Sequence, residues 1–221
     1  MRALALLLSV ALLAQLSGCT GSLFKSDIPA DETYRLGRIE PVAAMAGGQS
    51  GAIGTVPTSR PLALAVARPR AAGALDTDRI AVVSDGSRFD YFAGVRWAES
   101  APQMLQQQIV SALASAGQFG GGVFAAPARV PTELLLDVEL RRFEAVMAGA
   151  SGAAVVHVQI QASLVDSRRG VRVASFVSEA QAPAVENRRG AVIEAFDRAT
   201  AQVVADVVGR VQSATAALPA Q

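Results

Sequence analysis

Leu134-Leu135-Leu136-Asp137-Val138-Glu139-Leu140-Arg141 and, after a break, Val156-His157-Val158-Gln159-Ile160-Gln161-Ala162-Ser163-Leu164 decide the fold. In the first stretch Leu134, Leu136, Val138 and Leu140 point one way while Asp137, Glu139 and Arg141 point the other. That period of two marks a half-buried strand. The second stretch repeats it, with His157, Gln159 and Gln161 on the wet side. Asp166-Ser167-Arg168-Arg169-Gly170 then reads as a turn and Val171 to Val177 as the next strand. Three consecutive strands of this kind predict an antiparallel meander with one face in the core and one solvated or covered by a partner.

Upstream the strands are shorter. Thr33-Tyr34-Arg35-Leu36 reads as a first strand, and Pro41 to Pro61 as a loop made flexible by Gly47-Gly48-Gln49-Ser50-Gly51. Leu62, Leu64 and Val66 suggest a buried strand. Arg79 to Val83 and Phe89 to Val95 flank Ser84-Asp85-Gly86-Ser87, whose Asp-Gly signals a hairpin. A helix follows, with Ser100 as N-cap, Pro102 in the first turn and Gly117 at the end. Met104 or Leu105, Ile109, Ala112 or Leu113 and Ala116 form its apolar stripe, opposite Gln103, Gln106, Gln107 and Ser111. Gly120-Gly121-Gly122 reads as a plain loop, since neither a Gly-Lys-Ser/Thr nor a G-x-G-x-x-G pattern forms there. A long final helix buries Val192, Phe196, Val203, Val207 and Val211, joined by Ile193, Val204 and Val208. Glu194, Asp197, Arg198, Asp206 and Arg210 face outward. The expected fold class is α+β: a mainly antiparallel sheet with two amphipathic helices packed on one face.

The chain opens differently. Met1-Arg2, an Ala- and Leu-rich run and Leu16-Ser17-Gly18-Cys19 have the layout of a secretory signal, and the run is shorter than the roughly twenty residues of a permanent span. The stretch resembles a bacterial lipobox, which implies cleavage before Cys19 and lipidation, palmitate included, of that cysteine. Two or more acyl chains hold a protein stably on a membrane where one does so only marginally. Thr20 in place of aspartate favours the outer membrane under the enterobacterial sorting rule. The resulting organisation is a lipoprotein signal peptide over 1–18, a lipidated tether over 19–30, one periplasmic α+β domain over 31–211 and a flexible C-terminal tail over 212–221.

Composition excludes several classes. Lys and Arg number 20 against 19 Asp and Glu, with no basic stripe, so nucleic acid is not an expected partner. Lipidation consumes the only cysteine, which leaves no disulfide to staple the fold. His157 is the only histidine, so any Ser-His-Asp arrangement would have to use it, mid-strand among valines. A metal site has no recognisable ligand spacing. Glu133, Asp137 and Glu139 raise the question of paired carboxylates, but alternation puts Asp137 and Glu139 on the wet face as solvated charge. These points argue against an enzyme and against any cofactor beyond the covalent lipid on Cys19.

Phe89-Asp90-Tyr91-Phe92, Arg96-Trp97-Ala98-Glu99, Pro102 and the helix from Met104 resemble the ABC-type transport auxiliary lipoprotein family, the PqiC-like proteins. Leu136-Asp137-Val138, Arg142-Phe143-Glu144, Leu164-Val165-Asp166 and the early Tyr34-Arg35-Leu36 agree, so the resemblance runs from Tyr34 to Val211. It implies an outer-membrane accessory of a system containing an ABC transporter and an MCE-domain protein that bridges the periplasm, moving phospholipids or other apolar molecules. Self-association stays open. Tyr91, Arg96 and Trp97 are the candidate partner-binding residues, being of types enriched at binding hot spots, with Trp97 also suited to the core. The competing reading is an envelope-assembly lipoprotein, of the secretin-pilot or lipopolysaccharide-assembly type. Direct carriage of lipid inside the domain would need a large cavity, whereas close packing is the default.

Overall fold

Fourteen residues of unbroken strand, Leu134–Met147, form the spine of the molecule. The elements run β1 (Glu32–Tyr34), β2 (Leu64–Val66), β3 (Arg70–Ala71), β4 (Arg79–Ser84), β5 (Arg88–Trp97), α1 (Ala101–Ser115), β6 (Val123–Ala125), β7 (Leu134–Met147), β8 (Ala154–Asp166), β9 (Val171–Pro183) and α2 (Arg189–Ala216). This computed structural model describes residues 31–37, 62–84, 86–147, 152–186 and 188–218. The signal, Cys19, the tether, the loop over 41–61 and Asp85 of the hairpin lie outside them.

The meander forms as the alternation predicts. β8 pairs antiparallel with β7 on one side and with β9 on the other. On the other edge of β7 three short strands follow one another in parallel register: Leu64 beside Leu134, Arg70 beside Glu139 and Ala81 beside Glu144. β5 returns antiparallel to β4, β1 adds in parallel to β5, and β6 adds in parallel to β2. The long ladders are antiparallel and the short ones mostly parallel, within one sheet of nine described strands.

A bulge between Leu140 and Arg142 in β7 sets Arg141 outside the ladder. Arg142 therefore continues the wet row and Phe143 joins the core, although strict alternation from Leu140 would put them the other way round. β9 runs to Pro183, six residues beyond the expected Val177, because β8 is long enough to pair with all of it.

Both helices pack on the same side of the sheet. The α2 stripe of Val192, Phe196, Val203, Val207 and Val211 is buried as expected, while Val208 is only half-buried. Trp97, Phe143 and Phe196 meet where sheet and α2 touch, with ring centroids 4.9–5.8 Å apart. The helix continues through Ala216, so residues 212–216, placed by the sequence in a flexible tail, form its last turns.

In α1 two expectations change. Gln106 is buried, not on the outer face, because its amide donates to the Val66 carbonyl at 2.9 Å and so ties α1 to β2. Ala116 is the exposed C-cap and not part of the buried stripe. Ser100 occupies the N-cap without a side-chain cap, since its hydroxyl accepts from Arg68 at 3.0 Å. The Gly120-Gly121-Gly122 loop spends its backbone on β2: the Gly121 N–H donates to Leu62 O and Gly122 O accepts from Leu64.

Candidate docking face

With both helices on one side, the other face of β7, β8 and β9 is uncovered by any described residue, and the ladder registers sort it into rows. Directly opposed residues share a face. From one end the rows read Leu135–Val165–Arg172, Asp137–Ser163–Ser175, Glu139–Gln161–Val177, Arg142–Gln159–Glu179, Glu144–His157–Gln181 and Val146–Val155–Pro183. At the last two rows the ladders continue into β4 and β5 through Ala81, itself buried, and the half-buried Tyr91, then through Val83 and Phe89.

The polar rows are interlocked. Gln159 donates to Glu179 at 2.7 Å, Gln161 to Ser175 at 3.0 Å, and the Ser163 and Ser175 hydroxyls lie 3.2 Å apart. Arg142 holds Glu144 at 2.8 Å, and Arg70 reaches across from β3 to Asp137 at 2.9 Å. Such a face presents fixed donors and acceptors to a partner at little ordering cost. Burial lowers the pKa of His157 below the usual histidine value, with Arg142 adding to the effect and Glu144 and Glu179 opposing it. No hydrogen bond joins His157 to a hydroxyl among the described residues. No group of three or more His, Cys, Asp or Glu there is placed to hold a metal, and no described helix is long and apolar enough to cross a membrane.

The three residues singled out by sequence do not form one patch. Trp97 is 1% exposed and wedged between Phe143 and Phe196, so it cannot touch a partner. Tyr91 stands on the open face, with the Arg79 guanidinium 3.9 Å over its ring and its hydroxyl donating to Ala74 O at 3.1 Å. Arg96 is exposed opposite Arg79 and paired with Asp78 at 3.2 Å. Glu133, which could have suggested acid–base work, is buried and accepts from the Ala63 N–H at 2.9 Å, clamping β2 to the start of β7. Sequence reading missed the Phe89–Val83–Val146–Val155–Pro183 row. Its signal was present in Val146 and Val155, apolar residues at wet-side positions of their strands.

On the helix side, a cleft of about 570 Å³ between α1 and α2 receives the chain just after β1. The Gly37 N–H donates to Asp197 and the Gly37 carbonyl accepts from Gln108, both at 2.8 Å. Burial raises the Asp197 pKa, and the Gly37 N–H partly offsets the rise. The cavity beside Ile80, Phe92 and Val192 measures about 10 Å³, room for one water, so close packing and not a lipid chamber fills this part of the core.

The model of the ABC-type transport auxiliary lipoprotein component family matches residues 48–208. Among solved structures the chain is similar to protein XCC0632 from Xanthomonas campestris, of the family DUF330, at 26% identity and a TM-score of 0.67, covering 83% of this chain and 96% of that one. An uncharacterised protein at 14% identity shares the fold, with a TM-score of 0.58 over 82% of this chain and 99% of that one. PelC from Paraburkholderia phytofirmans, solved as a dodecamer, is more distant, at 18% identity and a TM-score of 0.38 over 66% and 91%. No curated protein sequence matches the chain.

Proposed function

Since this chain belongs to the ABC-type transport auxiliary lipoprotein component family, we propose that it is the outer-membrane-anchored member of a system that carries phospholipids or other apolar molecules between the two membranes. In this reading Cys19 carries the lipid, the domain hangs on the periplasmic face, and it docks the MCE-domain protein that bridges the periplasm to the ABC transporter. The observation that carries it is the family match over residues 48–208. The lipobox at Leu16-Ser17-Gly18-Cys19 supplies the anchor, and the pre-ordered polar rows supply a surface suited to a protein partner. Tyr91 and Arg96 are the contact residues proposed on that side; Trp97 is not one of them.

Genetics tests the reading. Cells lacking this chain and cells lacking the MCE-domain component should show the same sensitivity to detergents, and the double deletion should be no more sensitive than either single one. Additive sensitivity would place the chain in a separate envelope process.

A further inference from the structure

β9 is the outer strand of the meander, and among the described residues it pairs with β8 alone. The ladder tells which of its backbone groups face out. The Ala184 N–H donates to Ala154 O at 2.8 Å, in step with Val156 beside Ala182 and Val158 beside Ala180. Hydrogen-bonded pairs alternate along an antiparallel ladder. Ala174, Phe176, Ser178, Ala180 and Ala182 therefore spend their N–H and C=O on β8, while Ser175, Val177, Glu179 and Gln181 turn theirs outward. Pro183, with no N–H to give, falls on an outward position. Proteins ordinarily blunt an edge by keeping it short or by placing Lys, Pro or a bulge in it. β1 and β6, which also end the sheet, have three residues each. Between the bulge at Val173 and Pro183, β9 has none of these devices and carries one charge, Glu179.

The occupant follows from the charges beside this edge. α2 lies over β8 and β9 and runs antiparallel to β9: Asp206 accepts from the Ser178 hydroxyl, and the Arg210 guanidinium stands 5.5 Å from the Phe176 ring centre. Ala205, Asp206, Gly209 and Arg210 line, with Phe176, an open groove of about 630 Å³ along the edge. A second β9 fits here antiparallel, outward residues opposite outward residues, about a two-fold axis normal to the sheet. An axis at Phe176 sets Arg210 against its own copy, one at Ser178 does the same to Asp206, and one at Glu179 to Glu179. Each of these apposes like charges. Axes beyond this range soon run the ladder into the Val173 bulge or Pro183. At Val177 the fit is complementary. The valine, 39% exposed, meets itself, and Ser175 meets Glu179. Two residues of β9 and four of α2 both span about 6–7 Å, so Asp206 of each copy comes opposite Arg210 of the other. Three bonded residue pairs then supply about six backbone hydrogen bonds. The two α2 helices come about 10 Å apart, the spacing of packed helices.

We propose that this chain pairs with a second copy of itself along β9, with the two-fold axis at Val177, so that two sheets continue as one and their open faces join. Its test uses the full-length protein in vesicles of phosphatidylethanolamine and phosphatidylglycerol, with single cysteines introduced and linked by mild oxidation. The parent chain, whose own cysteine is Cys19, is the blank. Val177→Cys lies on the axis. Gln161→Cys lies in the same row one strand inward, about 14 Å from its copy. Ser175→Cys and Glu179→Cys each lie about 13 Å from their own copies but directly opposite one another.

The expected result is a disulfide-linked dimer of Val177→Cys well above the blank, none of Gln161→Cys, and linkage of Ser175→Cys to Glu179→Cys only when the two are mixed. Asp206→Arg, set against Arg210 of the second copy, should lower the Val177→Cys yield about tenfold. Adding Arg210→Asp to it should restore the yield, with circular dichroism unchanged throughout. Val177→Cys linkage no greater than the blank overturns pairing along β9. Equal linkage of Gln161→Cys reports random collision and overturns it as well. Linkage of Ser175→Cys by itself, or a yield indifferent to Asp206→Arg, overturns the register. Shielding of the Val177→Cys thiol from labelling in the monomer would assign the edge to another segment of this chain. Shielding only on adding the MCE-domain protein would assign it to that partner. Either outcome overturns the proposal.

Discussion

Phe196 closes the aromatic triad between sheet and helix, and Leu136 lies fully buried beneath the same layer. Phe196→Ala should cost about 3–5 kcal/mol and Leu136→Ala about 2–5 kcal/mol, read as lowered urea midpoints. Midpoints equal to the parent would show that neither side chain holds the layers together. Arg96→Ala acts at an exposed side chain paired with Asp78, so stability should change by no more than about 1 kcal/mol, while capture of the partner weakens. His157 predicts a pH effect. Its lowered pKa means that the unfolded chain binds a proton at a higher pH than the folded one, so stability falls as pH drops below about 6.5 and levels off once the folded form is protonated. His157→Gln should flatten that part of the profile, and an unchanged slope would remove His157 as its source. At this scale the sequence is read well where a side chain has one option and poorly where it has two. Phe196 in a helical stripe could only face the core. Trp97, Gln106 and Glu133 could be either buried or exposed by type, and their places depend on partners distant in sequence: Phe196, Val66 and Ala63.

Helix α2 shows how an element is held by what it packs against. Its many valines are poor helix formers, and Gly209 adds a further weakness on the exposed side. A Cβ at Gly209 meets no atom within 4 Å, so Gly209→Ala should stabilise the fold by about 0.5–1 kcal/mol, seen as a raised urea midpoint. A lowered midpoint would mean that the helix needs glycine there for a close contact. The long elements were legible because a period of two or of 3.6 repeated enough times in β7, β8 and α2 to leave one reading. The parallel strands β3 and β6, of two and three residues, carry no period at all, and their ladders are closed by segments far away in the chain. The end of β9 was misjudged for a related reason: past Val177 its residues are small or polar, and only the length of β8 tells how far pairing continues.

The molecule as a whole joins an anchor signal to a two-layer domain that leaves one sheet face open. Cys19→Ala should leave an unlipidated precursor that takes up no labelled fatty acid and no longer fractionates with the outer membrane; unchanged labelling would refute the lipobox reading. The fold class and the helix-covered face were within reach of the sequence. The open face was foreseen as solvated or partner-covered, but its division into polar rows flanked by apolar pairs, Leu135–Val165 at one end and Val146–Val155 at the other, depends on register, which no single strand encodes. The most direct measurement is affinity capture of the tagged lipoprotein from gently solubilised envelopes, with the co-purifying proteins identified. The account predicts an MCE-domain protein together with its ABC transporter subunits, diminished when Arg96→Ala is the bait. Recovery of a secretin or of lipopolysaccharide-assembly proteins in their place would contradict it.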